Sequence, residues 1–411
     1  MTYEEVLDYM YNSLPMYQRV GKAAYKSDLK TTLELDKHFG HSHKSFKSIH
    51  VAGTNGKGSV SHSIASVLQE AGYKTGLYTS PHLLDYRERI RVNGETISEE
   101  FVTEFINSSF ELFNQLKPSF FEMSVALAFE YFKYTKVDIA VIEVGMGGRL
   151  DSTNIISPEL SIITNIGFDH TQFLGDTLNK IAIEKAGIIK PLIPVVIGET
   201  QKETSPVFKK IAEKNKSEII FADQTGINTN FDFGLKGPYQ YKNLPAILSG
   251  IQILQKNGFN IKSEAIKAGL KNVVANTGIR GRWEITNQKP LTICDTGHNK
   301  EGLSYTIREL IKLKKTKIRF VLGFVNDKNV DDVLSLFPKD AEYYFTKASV
   351  PRAMDENLLK GKAENQNILG SSFPDVKTAC EEAINDSSSD DIIFIGGSTF
   401  VVADFLSETK K

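Results

Sequence analysis

Short apolar runs and longer stretches of helical periodicity alternate along the first half of the chain. Phe46–Val51, Thr75–Thr79, Val137–Val144, Leu160–Ile166 and Ile193–Ile197 read as strands. Ser59–Ala71, Ser98–Leu116, Ser119–Tyr134 and Thr177–Ile188 read as helices. VDIAVIEV is apolar on successive positions, as expected of a strand covered on both faces of a mainly parallel sheet. The alternation predicts a doubly wound α/β domain. Two further helices are expected over residues 242–271, and NTGIRGRWE (Asn276–Glu284), with two glycines and two arginines, reads as a connector. Beyond it LTICD, IRFVLGF, EYYFT and IIFIGG are strand-like, with helices around Leu303–Leu313 and Asp375–Ile384. The pattern therefore divides into residues 1–277 and a smaller α/β domain, 278–411.

Length agrees with two domains, since 411 residues exceed what one hydrophobic core usually serves. Lys plus Arg (49) nearly balance Asp plus Glu (50), so the overall charge gives no reason to expect nucleic acid or a membrane as partner. Two cysteines, Cys294 and Cys380, argue against a disulfide framework or a cysteine-built zinc site. The first residues lack the order of a signal peptide, and no apolar run nears the ~20 residues that span a bilayer. The expectation is a cytoplasmic, monomeric enzyme acting on small molecules. Residues 1–45 read as a polar, helical entry ending in HFGHSH, with His38, His41 and His43. Three close histidines suggest a metal, but Gly40 and Ser42 between them favour a solvated loop.

The candidate chemistry starts at HVAGTNGKGS, residues 50–59. A strand ends at IHVAG, Thr54, Asn55, Gly56, Lys57 and Gly58 supply a flexible turn, and a helix begins near Ser59. Such a turn lets backbone N–H groups close on phosphate oxygens, with the positive end of the helix behind them and Lys57 reaching the outer phosphates. The common pattern G-x-x-x-x-G-K-[ST] fails here, because position 51 is Val and Gly58 separates Lys57 from Ser59. Glu143 and His170 each follow a buried strand, where open α/β sheets place ligands, and together could hold a divalent ion. The residues alone leave a loop-capping Glu143 and a structural His170 equally open. Lys185, near a helix end, could equally pair with Glu184 or lie along the surface.

The failed pattern is itself a signal, because GTNGKGS resembles the loop of the Mur ligase superfamily and of its folylpolyglutamate synthase and dihydrofolate synthase branch. TSPHL (79–83), RERIRVNG (87–94), FFEMSVALAF (120–129), EVGMGGRLDSTN (143–154), ITNIGFDH (163–170) and EKAGIIK (184–190) follow in the family's order. GRWE (281–284), DTGHN (295–299) and GGSTF (396–400) continue it. The resemblance implies a P-loop ATPase domain followed by a Rossmann-like domain. It implies magnesium ligands at Ser80, Glu143 and His170, and a carbamylated Lys185 at a second magnesium, with a monovalent cation as a further option. It places ATP against Thr54–Ser59, Asn243, Arg282, Asp295 and His298, and the pterin against His82, Phe121, Leu150, Asp151 and Ser152. The family usually has Ala directly after the Asn matched by Asn243, and here Leu244 and Pro245 intervene; Trp283 stands where Phe or Tyr is common, and the stretch around Tyr25–Leu29 departs from the family's pattern. Without the resemblance Arg282 would read as an interdomain ion pair.

No Ser-His-Asp or Cys-His constellation is evident, which suits a reaction that depends on placed phosphates and cations. The resemblance implies that ATP phosphorylates the carboxylate of dihydropteroate or a reduced folate and that L-glutamate displaces the phosphate, with both activities expected. Catalysis would rest on Lys57, Lys185 and His170. Another Mur-type ligase acting on a cell-wall precursor and a non-catalytic nucleotide-binding module are the rival readings.

Overall fold

Buried β-branched strands and amphipathic helices assemble into two units in the computed structural model, which describes residues 1–15, 28–326 and 330–409. Unit one comprises Met1–Gly234 and Lys242–Gly278; unit two comprises Leu235–Tyr241 and Ile279–Lys411. The short segment Leu235–Tyr241 thus packs with the smaller unit, although the sequence pattern places it in the larger.

The larger unit is built on eight strands: β1 (Lys47–Ala52), β2 (Thr75–Tyr78), β3 (Ile90–Val92), β4 (Glu95–Thr96), β5 (Ile139–Glu143), β6 (Leu160–Ile163), β7 (Val195–Ile197) and β8 (Ile219–Phe221). Their order is β4-β3-β2-β5-β1-β6-β7-β8, with β3 and β4 antiparallel and the rest parallel. The order reverses at β1, which pairs with β5 on one side and β6 on the other. Register brings Val51 opposite Glu143 and Ala52 opposite Ile163. The loops after β1, β5 and β6 therefore leave the sheet side by side, at the position where doubly wound folds bind ligands.

Two boundaries depart from the sequence pattern for local reasons. The stretch expected as one helix, Ser98–Leu116, is two helices, Glu99–Ser108 and Phe110–Leu116. Buried Ser109 breaks it, and the Ser108 hydroxyl donates back to the Phe105 carbonyl, competing with the helix ladder. The helix expected over Thr177–Ile188 stops at Lys185 and tightens into a single turn, Ala186–Ile188. There the Arg149 backbone crosses so closely that a Cβ on Gly187 would lie 2.3 Å from its Cα.

The smaller unit carries six strands: β9 (Glu284–Gln288), β10 (Leu291–Asp295), β11 (Ile318–Leu322), β12 (Glu342–Phe345), β13 (Gly370–Ser372) and β14 (Ile392–Gly396). Their order is β13-β12-β11-β14-β10-β9, parallel except for β9. One core of Ile293, Phe320, Tyr343, Phe345, Phe394 and their neighbours lies against this sheet, and Trp283 is buried in it. Cys294 and Cys380 are buried free thiols. No helix among the described residues is long and apolar enough to cross a membrane.

Candidate functional site

The loop after β1 is held rigid by the loop after β6. Gly53 has φ +149°, and a Cβ there would lie 1.8 Å from the Thr164 hydroxyl, so only glycine fits. The Thr54 N–H donates to the Asn165 carbonyl at 3.0 Å, and the Asn55 N–H to the Asn165 side chain at 2.9 Å. The Thr54 hydroxyl bonds the Gly167 backbone, and the Thr164 hydroxyl donates to the Asn55 carbonyl at 2.6 Å. Thr54 and Asn55 therefore spend these groups on building the loop. Gly56, in the left-handed conformation at φ +82°, turns the chain into the helix Lys57–Glu70. That helix starts two residues before the boundary read from periodicity, so Lys57, Gly58 and Ser59 form its first turn. The amides of such a turn precede the intrahelical ladder and carry the positive end of the dipole.

Asn243 meets this loop from another part of the same unit. It precedes the helix Leu244–Lys256, and a Cβ on Gly56 would lie 2.6 Å from its Oδ1. Pro245, at the start of that helix, replaces no hydrogen bond, which explains how the unusual Leu-Pro continuation is tolerated.

Two lysines converge on one carbonyl. Lys57 Nζ donates to the Gly53 oxygen at 3.2 Å and to the Thr54 oxygen at 3.3 Å. Lys185 Nζ, buried at the end of the helix Leu178–Lys185, donates to the same Gly53 oxygen at 2.8 Å. Burial, and then the neighbouring Lys57 charge, lower the Lys185 pKa to about 7. The Glu184 carboxylate instead pairs with Arg149 at 2.8 Å. Lys185 is thus neither a surface lysine nor the partner of Glu184.

Glu143 ends β5, buried, and accepts from the Ser80 N–H at 3.2 Å. His170 follows β6 with a left-handed backbone, φ 50°, next to Asp169, whose carboxylate caps the His170 N–H at 2.9 Å. Ser80 thus lies two residues past β2, Glu143 ends β5, and His170 lies seven residues past β6. Hard oxygen donors fit magnesium, and the imidazole is the less usual member of the set.

The loop EVGMGGRLDSTN packs between this site and an aromatic cluster. Phe121 lies against Gly145, where a Cβ would sit 2.4 Å from the ring. Buried Asp151 accepts from the Met146 N–H at 2.9 Å, the Thr153 N–H at 3.0 Å and the Thr153 hydroxyl at 2.5 Å. Burial raises its pKa against those hydrogen bonds. Thr153 in turn meets His50 Nε2 at 2.8 Å, inside the sheet, where complete burial and then Lys190 push the imidazole down to about 3. The structure places Asp151 as the organiser of its own loop. Leu150 and Ser152 flank it, half-buried and buried.

His82 accepts from Arg89 Nε at 2.8 Å, and burial followed by the Arg89 charge lowers its pKa to about 3. Tyr11, Tyr86 and Phe120 surround the pair, with Arg89 over the Phe120 ring at 5.1 Å. Tyr11, Tyr86 and Arg89 carried no assigned role in the sequence. The only signal was that RERI recurs next to SPHL. Residues 25–27 of the Tyr25–Leu29 stretch lie outside the described residues.

In the smaller unit, Asp295 ends β10 with both oxygens engaged. One accepts from the Trp283 N–H at 2.8 Å and the Tyr239 hydroxyl, the other from the Gly297 N–H at 2.8 Å. Tyr239 was not singled out from sequence either. Its position four residues before Asn243 gives no pattern of its own. His298 Nδ1 lies 3.0 Å from the Thr296 carbonyl, and Arg282 bonds the Gly281 carbonyl at 3.3 Å.

Comparison with known proteins supplies the family. The Mur ligase middle domain matches residues 51–273, and the Mur ligase glutamate ligase domain matches residues 281–399. A Bacillus subtilis dihydrofolate synthase/folylpolyglutamate synthase is 33% identical, covering 95% of this chain and 96% of its own. A Schizosaccharomyces pombe protein described as a probable dihydrofolate synthetase is 32% identical, over 93% and 98%. The Escherichia coli FolC structure in complex with DHPP and ADP superposes with a TM-score of 0.88 at 26% identity, covering 100% and 98%. A Thermotoga maritima folylpolyglutamate synthase gives 0.81 at 32% identity, over 100% and 97%. The α/β architecture with tandem P-loop and Rossmann-like domains is thus the family's. The chain belongs to the Mur ligase superfamily and, within it, to the dihydrofolate synthase/folylpolyglutamate synthase family of ATP-dependent acid–amino-acid ligases.

Proposed function

We propose that the chain is bifunctional, joining L-glutamate both to dihydropteroate and to a reduced folate. As a member of this family it is an ATP-dependent ligase that forms an amide bond with glutamate. The observation that carries the site assignment is the meeting of Lys57 and Lys185 on the Gly53 carbonyl, 3.2 and 2.8 Å away. The Lys57 ammonium, in front of a helix N-terminus, favours a bound polyanion, and the buried Lys185 amine stands next to it.

In this reading the amides of Lys57–Ser59 and the Lys57 ammonium hold the ATP phosphates, with Asn243 beside the loop. In the smaller unit Asp295 fixes the backbone beside Arg282 and His298, through the Trp283 and Gly297 N–H groups, and those two side chains are the ones assigned to a nucleotide. Ser80, Glu143 and His170 would hold a magnesium ion, which supplies charge neutralisation to the phosphates. The substrate carboxylate attacks the γ-phosphorus, ADP leaves, and the glutamate amine then displaces phosphate from the acyl carbon. Lys57 and the loop amides stabilise the charge developing on the transferred phosphoryl group. A pKa near 7 leaves much of Lys185 neutral at physiological pH, as carbamate formation with carbon dioxide requires. His82, Phe121, Leu150, Asp151 and Ser152 border the pterin site, with Tyr11 and Arg89 added by the fold.

ADP release measured with glutamate and each of dihydropteroate, tetrahydrofolate and a muramyl precursor tests this reading. Glutamate-dependent release is expected with both pteridines. Release with only one pteridine removes the dual activity. Release with the muramyl acid alone would sink the folate assignment.

A further inference from the structure

The histidine cluster that precedes β1 is built differently from what its sequence suggests. His38 turns away and packs its ring edge-on against Phe39, with centroids 5.0 Å apart. Its place is taken by Asp36, two residues earlier on the helix Lys30–His38. His41 Nδ1 lies 2.7 Å from one Asp36 oxygen, and His43 Nδ1 lies 2.6 Å from the other. The Asp36 side chain is 5% exposed, His43 12% and His41 48%. Among the described residues this is the sole group of three His, Cys, Asp or Glu side chains with ligand atoms all within 4.8 Å.

We propose that Asp36, His41 and His43 form a binding site for one zinc-class divalent ion, separate from the phosphate loop. Two imidazole nitrogens and one carboxylate oxygen suit zinc, cobalt or nickel better than magnesium. The three ligand atoms lie within 4.8 Å of one another. Zinc bonds of about 2.0–2.1 Å in a tetrahedron put neighbouring ligand atoms roughly 3.3 Å apart. The 2.7 and 2.6 Å contacts, made to the two different Asp36 oxygens, would open towards that spacing and the nitrogen–nitrogen separation would close towards it, both by side-chain rotation. Each ring must offer its Nδ1 lone pair, so the proton there moves to Nε2 or to solvent, and acid weakens binding. A water molecule can take the fourth position, on the exposed His41 side.

The turn carrying the two histidines is held before any ion arrives. The His41 N–H donates to the Asp36 carbonyl at 2.7 Å, and the Lys44 N–H to the His41 carbonyl at 2.9 Å. Ser42 donates to Glu130, and Lys133 Nζ donates to the Phe39 carbonyl at 2.8 Å, both on the helix Phe120–Thr135. A metal there would fasten the end of one helix to the run-in of β1. Its effect would be on stability, leaving the chemistry at Lys57 unchanged.

Cobalt(II) titration of the full chain, with magnesium and ADP in excess, tests this through the visible d–d bands of a tetrahedral ion. One equivalent is expected to produce the bands and zinc to displace it, with a zinc-dependent rise in Tm of a few degrees. His41→Ala/His43→Ala should lose the bands and weaken zinc binding by at least ~100-fold, the upper end of what outer-sphere partners alone contribute. Ligase activity of that variant should stay near wild type. Should it fail to fold, His41→Gln at the exposed position should weaken binding at least ~10-fold. Absence of bands in the wild type, or bands unchanged in either variant, overturns the proposal and leaves a hydrogen-bonded staple.

Discussion

Glu143 and Asp295 end buried strands in the two units, and in sequence both mark ligand-facing positions. Their surroundings differ. Glu143 lies in register with Val51 of β1, two residues before the Gly53 turn on which two lysines meet, and accepts from the Ser80 N–H after β2. Asp295 already accepts from two backbone amides and a tyrosine. A strand end nominates a residue, and the loops around it decide what it can reach. Asp151 resembles Asp295, with three donors fixed on its carboxylate.

The largest effect is expected at the lysines. Lys57→Ala should lower kcat roughly 1000-fold, as loss of a donor to a developing anion does, with urea unfolding unchanged. Near-normal turnover would remove the phosphate role. Lys185→Ala should be comparably slow, with activity partly restored by small carboxylic acids if a carbamate is what the site needs. Lys57→Ala retaining activity while Lys185→Ala loses it would break the pairing of the two. At the other strand end, Asp295→Asn should cost about 1–3 kcal/mol of stability by weakening buried hydrogen bonds, read as a shift in the urea midpoint. A rise in the KM for ATP without any loss of stability would instead make Asp295 a direct nucleotide contact and erase the contrast.

Much of this was legible because the signals are local. Repeated strand and helix periods located β1, β5, β6, β10 and β14, and GTNGKGS marked the turn. The start of the helix at Lys57 was not legible, because Gly56 sets it through a left-handed conformation that periodicity cannot register. Nor were β3, β4, β8 and β13 legible, each two or three residues long and fixed by pairing with distant strands. The Lys185–Gly53 contact joins residues 132 positions apart. Asp36 as the partner of two histidines and Tyr239 as the partner of Asp295 are likewise tertiary facts.

A separate effect concerns acid. His50 is held neutral, with its pKa lowered to about 3 in the fold against 6.5 in the unfolded chain. The unfolded chain binds the extra proton between those values, so this group's contribution to stability falls as pH drops from 6.5 towards 3. His50→Gln should flatten that part of the pH–stability curve while lowering its plateau slightly. An unchanged acid slope would show that other groups govern it, with His82 the next candidate because its pKa is lowered in the same way.

Activation of a pteridine carboxylate by transfer of the ATP γ-phosphoryl group leaves an isotopic record. Dihydropteroate labelled with 18O in its carboxylate, turned over with ATP and glutamate, tests it most directly. One labelled oxygen is expected in inorganic phosphate for each amide formed, with ADP as the other product. Amide formation with unlabelled phosphate, or with the label in AMP, would contradict it.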